Sequence, residues 1–183
     1  MTVLADTTAT HLVNAPVESI ELAAWLFSLS DTAYQACSQA HIAAGTSRTD
    51  DGKRMSINVE RIAGNMLIQH YVEDIAEPHH VRVNSVSDLF TDGGATQLAI
   101  TWELTVTPVD DATSELANRV IVRSTTSFLE MLKQAGISDI DGVIAQFTAA
   151  TEAHNREETP LFARDMGLKA RQQLWSATRS QPA

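Results

Sequence analysis

The stretch QLAITWELTV, residues 97–106, alternates without a fault. Leu98, Ile100, Trp102, Leu104 and Val106 fall on one side, and Gln97, Ala99, Thr101, Glu103 and Thr105 on the other. A period of two held over ten residues is the pattern of a β-strand with one buried face. Similar alternation extends from it in both directions. Upstream, residues 80–90 set Val81, Val83, Ser85 and Ser87 against Arg82, Asn84 and Val86, and Thr91 to Gly94 supply the turn between. Downstream, Pro108 to Asp111 turn the chain. Residues 114–124 then set Leu116, Asn118, Val120 and Val122 against Glu115, Arg119, Ile121 and Arg123. Further upstream, residues 66–76 place Met66, Ile68, His70 and Val72 on one face and Leu67, Gln69, Tyr71 and Glu73 on the other, ending at Glu77-Pro78. Residues 41–48 and 53–62 flank the turn signal Asp50-Asp51-Gly52, so they read as a hairpin in which Met55, Ile57 and Val59 alternate with Ser56, Asn58 and Glu60. The result is six consecutive antiparallel strands.

The flanks are helical. A first strand over Thr8 to Val13 is broken by Asn14-Ala15-Pro16, and proline suits the first turn of a helix. Ile20, Ala23, Ala24 and Phe27 follow at helical spacing, with Trp25 and Leu26 widening the apolar face. Ser30-Asp31 can cap a second short helix reaching Cys37, with Tyr34 and Cys37 on its buried side. After Thr125, Phe128, Leu129 and Leu132 fit a short helix that stops at Gly136. Ser138 with Asp141 resembles a capping arrangement for a second helix through Val143, Ile144, Phe147, Ala150 and His154. Pro160 is expected to end or kink it, and Leu161, Phe162, Met166 and Leu168 to continue as a separate helical piece towards Trp175. The polar tail Ser176 to Ala183 is expected to fray.

The order β-α-α-β6-α, together with the entry NAPVESIELAAWLFS at residues 14–28, resembles the START/Bet v 1-like (SRPBCC, polyketide cyclase-like) helix-grip superfamily. Trp25 and Asp31 stand near the tryptophan and the acidic residue that such entries carry. The resemblance implies an α+β helix-grip fold: a curved antiparallel sheet around a long C-terminal helix, with an internal cavity between them. One domain is expected over residues 1–183, with 8–155 as its core and 156–183 as a helical C-terminal extension. Members of the superfamily bind lipids, sterols, polyketides or plant-hormone-like molecules. Some catalyse cyclisation or dehydration, and others act as co-chaperone modules, so the fold alone does not select a function.

Alternation nominates the cavity walls. Ile57, Val59, Leu98, Ile100, Trp102 and Leu104 are expected on the concave face with Val120 and Val122. Phe128, Ile144 and Phe147 are expected to close the space from the helix side. The same side chains equally suit plain packing. Among polar residues, His70 and Tyr71 are neighbours on one strand, so only one of them can point inward. His70 beside Ile68 and Val72, Tyr71, and Asn118 between Leu116 and Val120 are the acid–base or ligand-orienting candidates. His154, Glu157 and Glu158 share a helix face at i, i+3 and i+4, a spacing used by carboxylate-bridged metal sites. Such sites need a second matching helix, and the sequence contains none. The stretch EAHNREETP therefore reads as polar surface or helix end. His79-His80 diverge on an extended segment, and no metal or cofactor is expected.

Composition narrows the classes further. Among 183 residues, 23 acids against 13 bases leave a net charge of −10, which disfavours nucleic acid and anionic lipid as partners. Arg48, Lys53, Arg54 and Arg61 gather near one hairpin but lack interleaved aromatics. A single cysteine, Cys37, excludes an intramolecular disulfide and makes a reducing cytoplasm the default compartment. No apolar run reaches the ~20 residues of a membrane helix, and the N-terminus lacks the pattern of a secretion signal. No Gly-x-Ser-x-Gly elbow or phosphate loop occurs. The expected role is binding of a small apolar or amphipathic ligand. A cyclase- or dehydratase-type enzyme on the same fold is the alternative. A homodimer or co-chaperone-like module is a third reading, motivated by Leu161, Phe162, Leu168 and Trp175.

Overall fold

Seven strands form one antiparallel sheet. They are β1 (Val3–Val13), β2 (His41–Arg48), β3 (Arg54–Ile62), β4 (Asn65–Ala76), β5 (His80–Thr91), β6 (Gly94–Pro108) and β7 (Ser114–Ser124). Their spatial order is β1-β7-β6-β5-β4-β3-β2. The meander from β2 to β7 follows short turns, and the opening strand returns to pair with the last, Thr7 against Val120 and Leu12 against Glu115. This computed structural model describes residues 1–175. The tail expected to fray lies outside the described residues. β1 begins at Val3 rather than Thr8, with Leu4 and Ala5 in the core.

Register shifts at Val3/Ala5, His41/Ala43 and Glu73/Ile75 interrupt three of the ladders. Such irregularities bend a strand and re-aim its side chains. At the second of them Ile42 is left exposed, while His41 is buried on the concave side.

Between β1 and β2 lie a 3₁₀ turn (Val17–Ser19) and two short helices, α1 (Leu22–Ser28) and α2 (Asp31–Gln35). The Ser30 hydroxyl accepts from the Ala33 N–H at 3.2 Å and caps α2 as expected. α1 buries Leu22, Ala23, Trp25 and Leu26. Cys37, just beyond α2, is buried, and its thiol donates to the Ala33 carbonyl at 3.2 Å. Burial, then the charges of Asp165 and Glu158, push that thiol up to about 12. Alkylation of native protein at pH 8 should therefore run about a thousandfold slower than in urea, where the thiol returns to its ordinary acidity. A native rate within tenfold of the unfolded chain's would sink this assignment.

Two helices follow the sheet, α3 (Thr126–Gln134) and α4 (Ile140–Arg171). Gly136, at φ +71°, supplies the left-handed residue that closes α3. Asp139, not Ser138, caps α4, accepting the Gly142 N–H at 2.9 Å. The expected break at Pro160 does not occur. α4 runs 32 residues, about 48 Å, straight through it. Proline leaves the Arg156 carbonyl without its usual donor, but Arg156 is exposed and water can serve that group. One residue earlier, the Thr159 hydroxyl bonds the Asn155 carbonyl at 2.5 Å.

The hydrophobic core continues beyond residue 155. Phe162, Ala163, Met166 and Ala170 belong to the same core as Trp25, Leu104 and Leu116. Gln173, at φ +54°, turns the chain after α4, with Gln173 N–H on the Ala170 carbonyl and Leu174 N–H on that of Lys169. That turn carries Trp175 back into the core. Of the four residues that motivated a dimer, Phe162 and Trp175 are thus used internally, and Leu168 is exposed. Among the described residues no helix is long and apolar enough to cross a membrane.

Candidate functional site

The inward face of α4 changes character along its length. Thr151, His154, Asn155, Glu158 and Thr159 come first, at helical spacing, and Phe162, Ala163 and Met166 follow. The apolar half packs solidly. The polar half covers a cavity of about 440 Å³ between the helix and the sheet. That size accommodates a small organic molecule. Leu98, Ile100, Trp102, Val120, Val122 and Phe147 line it, as the alternation of β6 and β7 led one to expect. Leu67, Leu89 and Tyr71 extend this apolar wall, and the Tyr71 ring lies 5.5 Å from that of Trp102. Among the lining residues, Ala63, Gln146 and Ala149 are exposed, so the mouth lies between the β3–β4 turn and the first turns of α4.

The other nominated residues fall elsewhere. Leu104 is buried in the solid core, Phe128 stands behind Phe147 with ring centroids 5.5 Å apart, and Ile144 packs on the core without reaching the cavity. Ile57 and Val59 point to the convex side. On β3 the buried set is Ser56, Asn58 and Glu60. His70 is excluded too, because β4 turns Leu67, Gln69 and Tyr71 inward and leaves His70 half-buried on the outer face. The physical reason is shared by both strands. Alternation states which residues share a face, not which face is covered. Here the inward polar residues satisfy one another: Gln69 Nε2 donates to Glu60 Oε1 at 2.7 Å, Tyr34 O–H to Glu60 Oε2 at 3.1 Å, and Ser56 O–H to Asn58 Oδ1 at 2.7 Å.

The closed end of the cavity is a charged cluster. His154 Nε2 stands 3.3 Å from both Glu60 Oε2 and Glu158 Oε2. His41 Nε2 stands 3.2 Å from Glu158 Oε2 and 3.8 Å from Glu60 Oε2. The His41 ring is stacked on Tyr34, centroids 3.7 Å apart, and its Nδ1 meets the Tyr34 carbonyl at 2.7 Å. Asn118 is the hinge of the network. Its Oδ1 accepts from the Trp102 indole at 2.8 Å, while its Nδ2 donates to Glu158 Oε1 at 2.9 Å and Thr159 Oγ1 at 3.0 Å. Burial alone would discharge His154, but Glu158 and Glu60 outweigh it and raise the ring to about 11. Burial likewise opposes the Glu158 charge, but His154 and His41 outweigh it and lower the carboxyl to about 2. Burial, with Glu60 and Glu158 nearby, holds the Tyr71 phenol well above its ordinary range, so it is a neutral donor.

Asn155 adds one unmatched group. It is 1% exposed and lines the cavity, and its Nδ2 donates to Thr7 Oγ1 at 2.9 Å. Its Oδ1 has no protein donor among the described residues. The expected solvated face of His154 and Glu158 is therefore overturned. Glu157 alone is exposed, and it bonds Ser38 O–H at 2.9 Å and Gln39 N–H at 3.0 Å. His41 and Glu60 were missed because their partners on α4, His154 and Glu158, lie over ninety residues away. The available signal was the inward-compatible set Glu60, Gln69 and Tyr71, which needed a polar helix face opposite it.

No family model matches the sequence, and neither does any curated protein. Solved structures do. The di-domain ARO/CYC protein BexL of the BE-7585A biosynthetic pathway superposes on 88% of this chain with a TM-score of 0.56 at 13% identity. The chain spans 49% of BexL, about half its length. The fold is of the helix-grip type, a seven-stranded antiparallel sheet closed over the long helix α4. TTHA0849 from Thermus thermophilus shares this helix grip over 90% of this chain and 98% of its own, with a TM-score of 0.54 at 11% identity. A START superfamily protein from Mycobacterium smegmatis aligns over 84% and 97%, at 14% identity and a TM-score of 0.45. At these identities the likeness is one of fold.

Proposed function

We propose that this chain is a cytoplasmic binding protein for a small amphipathic molecule, held in the helix-grip cavity with its apolar body along Trp102 and its polar end inward. The observation that carries the reading is the pairing of an apolar wall with one buried, unmatched acceptor, Asn155 Oδ1. An unsatisfied buried acceptor costs about 1–3 kcal/mol, which a ligand hydroxyl or amine would remove. The neutral Tyr71 phenol supplies a donor on the wall of the same cavity. The lone buried cysteine is compatible with a reducing compartment.

The test is titration with a fluorescent long-chain alcohol. One molecule per chain should bind saturably and quench indole emission, and Trp102→Phe should remove most of the quench. Ala150→Trp, which fills the cavity from α4, should abolish binding while leaving circular dichroism unchanged. Undiminished binding by that variant would place the ligand elsewhere. A second reading, a cyclase- or dehydratase-type enzyme, is favoured by the charged His154–Glu158 pair at the end of the same cavity. Of its nominated groups His70 faces away, while Tyr71 and Asn118 are buried towards the cavity side. Native mass spectrometry separates binding from dehydration, which would remove one water from the bound molecule, and chromatography of the recovered molecule against its input form separates binding from a mass-neutral cyclisation.

A further inference from the structure

We propose that the charged cluster is a binding site for one divalent transition metal of the zinc class, with His41, Glu60 and His154 as ligands. Their donor atoms all lie within 4.8 Å of one another. Zinc bonds of ~2.0–2.2 Å require neighbouring donors ~3.3–3.5 Å apart. Glu60 Oε2 stands 3.3 Å from His154 Nε2 and 3.8 Å from His41 Nε2, so small side-chain adjustments suffice. Glu158 Oε2, 3.2 and 3.3 Å from the two rings, supplies a second negative charge. Two neutral imidazoles, two carboxylates and a divalent ion then sum to zero, which is what a buried site requires.

The surroundings are those of a ligand set held in place. The Tyr34 carbonyl meets His41 Nδ1, which turns Nε2 into the cluster, and stacking on Tyr34 fixes the ring plane. Tyr34 O–H and Gln69 hold the two oxygens of Glu60, and Asn118 holds the far oxygen of Glu158. Such outer contacts orient metal ligands and set their tautomers. The second helix that the i, i+4 pair on α4 would need is replaced by β2 and β3. His41 arrives through the Ile42 irregularity and Glu60 by strand alternation. Nitrogen and carboxylate donors without thiolate suit zinc, cobalt or iron(II) over calcium or magnesium. Glu60 and His154 also line the cavity, so the ion faces the space where a ligand lies.

Untagged full-length protein, stripped with chelator and dialysed against zinc, should hold one ion per chain by elemental analysis. Cobalt(II) should give the intense visible bands of a low-coordinate nitrogen–oxygen site. His154→Ala should weaken zinc by at least about a hundredfold, whereas His79→Ala, on the β4–β5 turn, should leave it unchanged. Should His154→Ala not fold, the wild type decides: zinc must raise its melting temperature and chelator must reverse the rise. Less than a tenth of an ion per chain, or equal affinity in folded His154→Ala, overturns the site. No organic ligand enters these measurements, so they stand apart from the outcome for the cavity.

Discussion

Phe162→Ala should lower stability by about 3–5 kcal/mol, the upper range for truncation of a single core side chain. Phe162 is fully buried at the point where α4 changes from polar to apolar. Its ring meets Trp25 edge-on at 5.1 Å, Trp102 at 5.8 Å and His41 at 6.1 Å. One side chain therefore ties the α4 helix to α1, to the central strand β6 and to the first residue of β2. Truncation removes ring contacts on three sides, and neighbours drawn from three separate elements cannot all move inward to refill the space. With total stabilities of about 5–15 kcal/mol, the variant would sit near its unfolding threshold. Urea unfolding followed by indole emission should show a lower midpoint with an unchanged slope. A loss below about 1 kcal/mol would mean that the helix is held by something other than this contact.

The strands that were easiest to read are the ones with an apolar floor. β6 and β7 carry their hydrophobic residues inward, so alternation and burial coincide, and Leu98, Ile100, Trp102 and Val122 fall where the pattern puts them. β3 and β4 invert the rule. Their inward residues are Ser56, Asn58, Glu60, Gln69 and Tyr71, a polar set that is stable only because α2 and α4 bring Tyr34, His154 and Glu158 against it. A strand read alone does not contain that information, since the pairing is made by a helix about ninety residues later. The same dependence explains His154 and Glu158. Their helical spacing was visible, but the burial of that helix face is decided by the sheet beneath it. Pro160 shows the converse. A local rule predicts a break, and the packing of Phe162 and Met166 on the sheet side overrides it while the exposed side of the helix absorbs the missing hydrogen bond.

Substitution of Asn118 should separate the polar network from the packing around it. This side chain is completely buried and is used on both edges, with its oxygen taking the Trp102 N–H and its nitrogen serving Glu158 and Thr159. Asn118→Leu keeps the branched shape with somewhat more bulk but leaves the indole donor and the Glu158 oxygen unmatched, each costing about 1–3 kcal/mol, so a loss of about 2–6 kcal/mol is expected. Asn118→Asp keeps the shape and the Trp102 bond. It replaces the donor at 2.9 Å by an acceptor facing Glu158. Were Asn118 merely a space-filler, the leucine would be tolerated, and only the aspartate, as a buried carboxyl, would be costly. With the network as the reason for its presence, both should fall well below wild type in urea at pH 7. The aspartate should also lose ligand-dependent quenching of Trp102, because a carboxylate at position 118 repels the one at Glu158 and disturbs the polar end of the cavity. Two near-wild-type midpoints would show that Glu158 is held by its histidines alone.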